Sequence, residues 1–395
     1  MKNKVAFMIP TLTNGGAERV VSNLSCGLSD NIDSKIILYN GNKIDYPYKG
    51  EIIDLNITTS SNPVSKLKAL FKRIYRLKKI KKENNMEKTI SFLDNPNIVN
   101  LLSRGKGETI ISVRNLKSNH FNEGYGWGYK RLIKLLYNKA DKIIVLSRMV
   151  KLDLVENFNI DANRIEVIYN PCDVEKINRL ANEDLEREYK EIFKNPVIIN
   201  IGRLTKQKGQ WHLIRAFSKI KKEIPNAKLV ILGQGELEDY LKELANNLGL
   251  IDDVHFLGFQ KNPFKFIKNS TVFAFSSLYE GFGNVITEAM ACGIPVVSTD
   301  CKAGPREILA PNTDIRKSTK AIEYAKYGIL VPVCDGVKYN YNDSLTTNEE
   351  YLSQAVIDLI KNRDIMNIYI NLFEERLNDF KIKKIINEWV DICNN

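Results

Sequence analysis

The chain has 395 residues, 44% hydrophobic and 27% charged, with a formal net charge of +11. That length exceeds one ordinary core, so two domains are expected, and the composition is globular, which excludes a disordered or fibrous chain. No stretch reaches 18 apolar residues, which argues against a membrane-spanning helix; the start "MKNKVAFMIPTLTNGG" is too short an apolar run, broken by Pro10 and glycines, for a signal peptide.

In chain order, apolar runs predict strands at 5–9, 35–38, 52–55, 89–93, 109–113, 142–146 and 165–168. Helical patterns fall between them, clearest over 17–28, 66–82 and 129–139. The rhythm repeats with strands at 197–201, 228–232, 254–257, 272–275, 295–298 and 328–331. Short apolar strands alternating with helices predict parallel sheets covered on both faces, an α/β class. A turn at Asn170-Pro171 and a polar stretch precede the strand at Val197. Two doubly wound domains are therefore expected, 1–175 and 176–378, facing each other across a cleft. A helix of about 379–395, in "FKIKKIINEWVDICNN", suits packing back on the first domain as well as on the second. Six scattered cysteines (Cys26, Cys172, Cys292, Cys301, Cys334, Cys393) form no C-x-x-C pair, so buried thiols are expected rather than metal ligands or disulfides.

The charge is uneven. In "KLKALFKRIYRLKKIKK", residues 66–82, nine of seventeen residues are basic and none is acidic. Leu67, Leu70, Ile74 and Leu77 recur at three- and four-residue spacing, with Phe71 and Ile80 beside them, which predicts an amphipathic helix. Its cations, Lys72, Arg73, Arg76 and Lys79 among them, suit an anionic membrane or a phosphate, at about 1 kcal/mol per charge near such a surface. A solvated face of a helix packed on a sheet has the same pattern. Nucleic acid is disfavoured, because no helix-turn-helix signature or aromatic-interleaved basic surface accompanies the run.

Three segments carry candidate chemistry. In "IPTLTNGGAERVVSNL" a strand runs into Asn14-Gly15-Gly16 and a helix start, where backbone N–H groups can meet an anion; an ordinary strand-to-helix turn reads the same way. In "INIGRLTKQKGQWHLIRAF" a strand ends at Gly202, and Arg203 and Lys208 follow five residues apart, which suits a diphosphate, although exposed loop cations are common. In "YEGFGNVITEAMACGIPVV" Glu280 and Glu288 bracket a glycine turn and the start of a helix. Carboxylates accept from sugar hydroxyls and helix N–H groups meet phosphate. The pattern suits a nucleotide sugar.

Together "NIGRLTKQKG", "VILGQGEL", "VHFLGF" and "SSLYEGFGNVITEAMACGIPVVSTDCKAGPREIL" resemble the nucleotide-binding half of retaining glycosyltransferases of family 4, which have the GT-B fold of two Rossmann-like domains. "TLTNGGAER", "SFLDNPN" and "VIYNPCD" resemble segments of its bacterial polysaccharide and lipid-linked-glycan members. The resemblance implies an acceptor domain followed by a donor domain. It places Arg203 and Lys208 on the donor diphosphate, Glu280 at the donor sugar hydroxyls and Glu288 on the ribose. Phe282, Gly283, Asn284 and Val285 form the turn whose backbone meets sugar and phosphate. Gly258, Phe259 and Gln260 form the base-binding segment, and Gly15 and Gly16 the loop of the other domain. Many relatives carry a histidine after the strand at 109–113; here Arg114-Asn115 stands there, with His120 six residues on, and Arg114 is carried as the catalytic candidate.

What the resemblance implies is transfer of a hexose or N-acetylhexosamine, UDP-linked, with retention, to a polyprenyl-diphosphate-linked or polysaccharide acceptor. It also implies a cytoplasmic enzyme held at the inner membrane face by residues 66–82. No D-x-D pair stands near the phosphate loops, so no metal or other cofactor is expected. A GT-B transferase with a small soluble acceptor and a non-catalytic sugar-nucleotide or polyanion binder are the alternatives.

Overall fold

The computed structural model describes residues 3–13, 15–29, 31–59, 62–118 and 127–394. The chain divides into two compact units, Met1–Pro171 with Ile382–Asn395, and Cys172–Lys381.

In the first unit the elements are β1 (Asn3–Ile9), α1 (Gly16–Gly27), β2 (Ile32–Leu38), β3 (Glu51–Asp54), α2 (Pro63–Glu83) and β4 (Lys88–Phe92). They continue with α3 (Asp94–Leu102), β5 (Glu108–Val113), α4 (Trp127–Tyr137), β6 (Lys142–Val145), α5 (Arg148–Phe158) and β7 (Ile165–Val167). The seven strands are all parallel, in the order β3-β2-β1-β4-β5-β6-β7. Val5 to Ile9 of β1 are completely buried, as helices on both faces of a parallel sheet demand. One face is covered by α1 and by the helix Ile382–Asn394, whose Trp389 ring lies 5.5 Å from that of Phe92. The other is covered by α2 and α3.

The second unit holds α6 (Val174–Ala181), β8 (Val197–Ile201), α7 (Gln210–Glu223), β9 (Lys228–Leu232), α8 (Glu238–Asn247), β10 (Val254–Gly258), α9 (Phe264–Lys268) and β11 (Val272–Phe275). It continues with α10 (Asn284–Ala291), β12 (Val296–Thr299), α11 (Pro305–Leu309), β13 (Glu323–Ala325), β14 (Gly328–Val331), α12 (Thr347–Lys361) and α13 (Arg363–Leu377). Its order is β10-β9-β8-β11-β12-β14-β13, parallel except for the β13–β14 pair. Both units are thus doubly wound Rossmann-like α/β layers.

Four expectations need correcting. The edge strand β13 has only three residues, none of them fully buried, and so carries no apolar run to betray it. The polar stretch before Val197 contains α6, which buries Ile177 and Ala181 and packs on α9 and α10. Five cysteines are buried, but Cys26 is exposed at the end of α1. In α2 the buried face runs through Ala69, Arg73 and Leu77, with Leu70, Ile74 and Ile80 beside it; Leu67 and Phe71 are 55% and 63% exposed.

Candidate functional site

In the second sheet the chain leaves β8 toward β9 on one side and β11 toward β12 on the other. The loops that leave adjacent carboxyl ends therefore diverge at β8 and β11, the place where open α/β sheets bind ligands. Both charged loops lie there.

The loop after β8 presents Arg203 exposed and Lys208 mostly buried. Gln210 is wholly buried at the start of α7, and its amide N–H donates to the Arg203 carbonyl at 3.1 Å. Between them Gly209 takes φ +60°, and a Cβ there would stand 2.5 Å from the Ser276 carbonyl oxygen, so the left-handed turn and the close approach both need glycine.

The loop after β11 answers it. Lys208 Nζ lies 2.5 Å from Glu280 Oε1, and Ser277 Oγ donates to the same oxygen at 2.8 Å. The ammonium also stands 5.4 Å from the centroid of the Phe275 ring. Glu288 is 8% exposed, one turn into α10, whose N-cap Gly283 has φ +86° and offers no capping side chain. The Phe282 ring is buried edge-on against Phe380, so this residue can offer a ligand its backbone and not its ring. Asn284 and Val285 open α10 and are partly exposed. The loop after β12 closes on the same turn. A Cβ on Gly304 would lie 1.7 Å from the Phe282 carbonyl oxygen, and the Glu280 N–H points to the Lys302 carbonyl at 3.4 Å. Beneath, burial pushes the Cys301 thiol well above its usual range, with the Glu280 charge adding to it. Cys292 is pushed up to about 12 by burial first and Glu288 second.

Gly258, Phe259 and Gln260 stand at the end of β10, two strands from β8, hence roughly 10 Å away at ordinary strand spacing. Phe259 is 62% exposed, and Gln260 donates to the Leu257 carbonyl at 2.6 Å. The second unit therefore brings Arg203, Lys208, Glu280, Glu288 and residues 282–285 to one sheet end, with residues 258–260 further along it. Together they can hold an anion between hydroxyl acceptors.

In the first unit Gly15 is the N-cap of α1 and Gly16 its first residue. Asn14 and His120 lie outside the described residues. The Glu18 carboxylate folds back over Gly15, with Oε2 2.0 Å from where a Cβ would be. Burial raises the Glu18 pKa above the ordinary value, against pull from its own backbone N–H and from Arg114. Arg114 stands at the end of β5 and donates to Asn170 Oδ1. Burial lowers its pKa to about 10, while Glu18 pulls the other way. At the end of β4, Leu93 takes φ +75°, a strained conformation for a side chain of this kind. The next residue, Asp94, is bonded by the wholly buried Lys117, which also donates to Asn115 at 2.6 Å.

Sequence reasoning passed over Glu18, Asp94, Lys117 and Gln207. Glu18 alone had a local signal, since it stands three residues after the N-cap glycine, where a glutamate reaches back to the helix start. The others acquire their meaning from contacts distant in sequence.

The basic helix divides its cations. Lys72 and Lys79 are exposed, and Lys79 faces Glu83 at 3.6 Å. Arg76 donates to the Leu55 carbonyl. Arg73 is a correction: it points inward, 7% exposed, 3.8 Å over the Tyr39 ring and bonded to the Ile57 carbonyl at 2.7 Å. It takes a core position because its guanidinium satisfies a buried carbonyl and stacks on an aromatic face. It is not part of a surface grip.

Comparison with known proteins bears on this arrangement. The model of Glycosyltransferase Family 4 matches residues 14–176, and that of Glycosyl transferases group 1 matches residues 182–327. An uncharacterized glycosyltransferase of Methanocaldococcus jannaschii is 40% identical over 362 residues, 86% of this chain and 88% of that one. The N-acetylgalactosamine-N,N'-diacetylbacillosaminyl-diphospho-undecaprenol 4-alpha-N-acetylgalactosaminyltransferase of Campylobacter jejuni is 34% identical over 397 residues, 97% of each chain. Among solved structures, Anabaena Alr3699/HepE in complex with UDP superposes with a TM-score of 0.74 at 19% identity over the full length of both chains. Two near full-length relatives at 40% and 34% identity, two matching family models and a shared two-domain fold have one reading: the chain belongs to the family 4 glycosyltransferases of GT-B fold.

Proposed function

We propose that this glycosyltransferase moves a hexose or N-acetylhexosamine from a UDP-linked donor to a polyprenyl-diphosphate-linked or polysaccharide acceptor, with retention of configuration, in surface-glycan synthesis. The observation that carries the donor half is the pairing of Lys208 with Glu280 at adjacent strand ends, with Arg203 exposed on the same loop as Lys208. Cations there stabilise the diphosphate as it leaves, the main electrostatic task of the step. Glu280 accepts from sugar hydroxyls and Glu288 from the ribose. A carboxylate that clamps hydroxyls on the outer side of the sugar cannot attack its anomeric carbon. The reaction is therefore a front-face one, in which acceptor oxygen and leaving phosphate meet on one side. Arg203 and Lys208 fill the charge-neutralising place that a metal holds elsewhere, so transfer should survive EDTA.

The lipid-linked acceptor is supported by the Campylobacter relative, whose name specifies a diphospho-undecaprenol substrate. It is supported also by the exposed face of α2, where Lys72 and Lys79 stand with Leu67, Phe71 and Tyr75. A cationic face with protruding apolar side chains suits an anionic inner-membrane surface. Among the described residues no helix is long and apolar enough to cross a membrane. The test is a panel of nucleotide sugars, read first as thermal stabilisation and then as transfer to a synthetic polyprenyl-diphosphate sugar. Stabilisation by UDP-hexoses or UDP-N-acetylhexosamines with retention in the product is the expected result. Stabilisation only by sugars on another nucleotide, or transfer with inverted configuration, would each redraw a different part of the reading, and no stabilisation by any nucleotide would end it.

A further inference from the structure

The donor site joins two loops that the sheet itself barely joins. Between β8 and β11 the paired residues are Ile198 with Val272 and Ile199 with Phe273, and the ladder stops there. The Asn200 side chain carries the junction one step on, donating to the Ala274 carbonyl at 2.7 Å. Beyond that point each loop carries its charge and then turns through a left-handed glycine, Gly209 directly after Lys208 and Gly283 three residues after Glu280.

Gln207 takes up the junction past this gap. Its carbonyl accepts the Leu278 N–H at 2.8 Å, and its side-chain amide donates to the Tyr279 carbonyl at 3.0 Å. The next residue in one loop is Lys208; the next in the other is Glu280. A second tie runs parallel, from Ser276 Oγ to the Lys208 carbonyl at 2.9 Å.

We propose that Gln207 is a positioning residue that sets the spacing between the cation for the donor diphosphate and the carboxylate for the donor sugar, by clasping the loop after β8 to the loop after β11. It touches neither part of the donor and acts through Lys208 and Glu280. The proposal rests on the donor reading above. Its chemical content is that phosphate and sugar are recognised by different loops, so a donor fits only while the loops keep one distance. Misplacement of about 1 Å at such a site costs up to roughly 100-fold in rate. UDP alone engages the cations and Glu288 and needs no such register.

The variants are Gln207→Met and Gln207→Glu, both close in size to glutamine; at neutral pH neither can donate to the Tyr279 carbonyl. The measurements are UDP affinity, UDP-N-acetylglucosamine and UDP-N-acetylgalactosamine affinity, kcat, and melting temperature. The expected result is UDP affinity within about 3-fold of wild type, with kcat and the extra affinity due to the sugar falling about 10- to 100-fold in both variants. Unchanged kcat and sugar-nucleotide affinity in both variants would overturn the proposal, leaving the donor reading intact. Loss of UDP binding together with a large fall in melting temperature in both would also overturn it, since the role would then be structural. A wild type that binds neither UDP nor a UDP-sugar would overturn the donor reading and this proposal together.

Discussion

Lys208 Nζ and Glu280 Oε1 lie 2.5 Å apart, with the two side chains only 16% and 9% exposed, at the carboxyl ends of neighbouring strands. Removing one partner of such a pair leaves the other charge buried and uncompensated. Lys208→Ala is expected to lower stability by about 3 kcal/mol and to abolish most transfer. The double variant Lys208→Ala/Glu280→Ala should recover much of the stability and none of the activity. Urea unfolding beside a transfer assay separates the two effects; a double variant as unstable as the single one would show that the pair is not a mutual compensation.

Glu18 sets a pH dependence. Its carboxyl pKa is raised in the folded state, chiefly by burial. A group that binds its proton more tightly when folded contributes stability below its unfolded pKa and loses that contribution as pH rises through the folded pKa. At pH 7, well above the unfolded pKa, the carboxyl of Glu18 is therefore a cost to the fold. Glu18→Gln should raise the melting temperature at pH 7 and leave it nearly unchanged at pH 4. Equal shifts at both pH values would mean that the effect of the substitution is not electrostatic.

The exposed face of α2 makes a third prediction. Lys72→Ala/Lys79→Ala should weaken binding to vesicles containing phosphatidylglycerol roughly 10- to 30-fold at low salt, at about 1 kcal/mol per charge. Phe71→Ser should weaken it further without changing the salt dependence. Co-sedimentation measures both. Vesicle binding indifferent to charge reversal at Lys72 and Lys79 would sink the membrane reading of this helix.

Arg73, on the same helix, should behave in the opposite manner. Its guanidinium lies over Tyr39 and bonds a buried carbonyl. Arg73→Ala is expected to cost about 2–4 kcal/mol in denaturant unfolding, through a lost cation–π contact and an unsatisfied acceptor. Vesicle binding by the fraction that remains folded should change little.

How far the sequence could be read depends on which contacts are local. The strands 197–201, 228–232, 272–275 and 328–331 appear with the bounds their apolar runs predict, because a strand buried on both faces reads as a near-continuous apolar run. Arg203, Lys208 and Glu280 stood out as charges just past such runs. That Lys208 pairs with Glu280, and that Gln207 clasps the two loops, are relations over 72 residues or so of sequence, which no local pattern reports. The error in α2 has a different cause. A 3.6-residue period locates a stripe only to within a residue or two. The stripe through Leu67 competes with one through Ala69, Arg73 and Leu77, and the aromatic face of Tyr39 decides between them.

The helix Ile382–Asn394 completes the core of the first unit, where Ile385, Trp389, Ile392 and Cys393 join residues of β1, β4 and α1. This has a consequence for how the molecule is made. A nascent chain finishes the seven strands of the first unit some two hundred residues before that helix is synthesised. Through that interval Phe92 and its neighbours lack their cover, while the second unit, continuous from Cys172 to Lys381, can close by itself. The sheet that begins the chain therefore cannot be sealed during its own synthesis and must wait for residues made after the whole of the second unit.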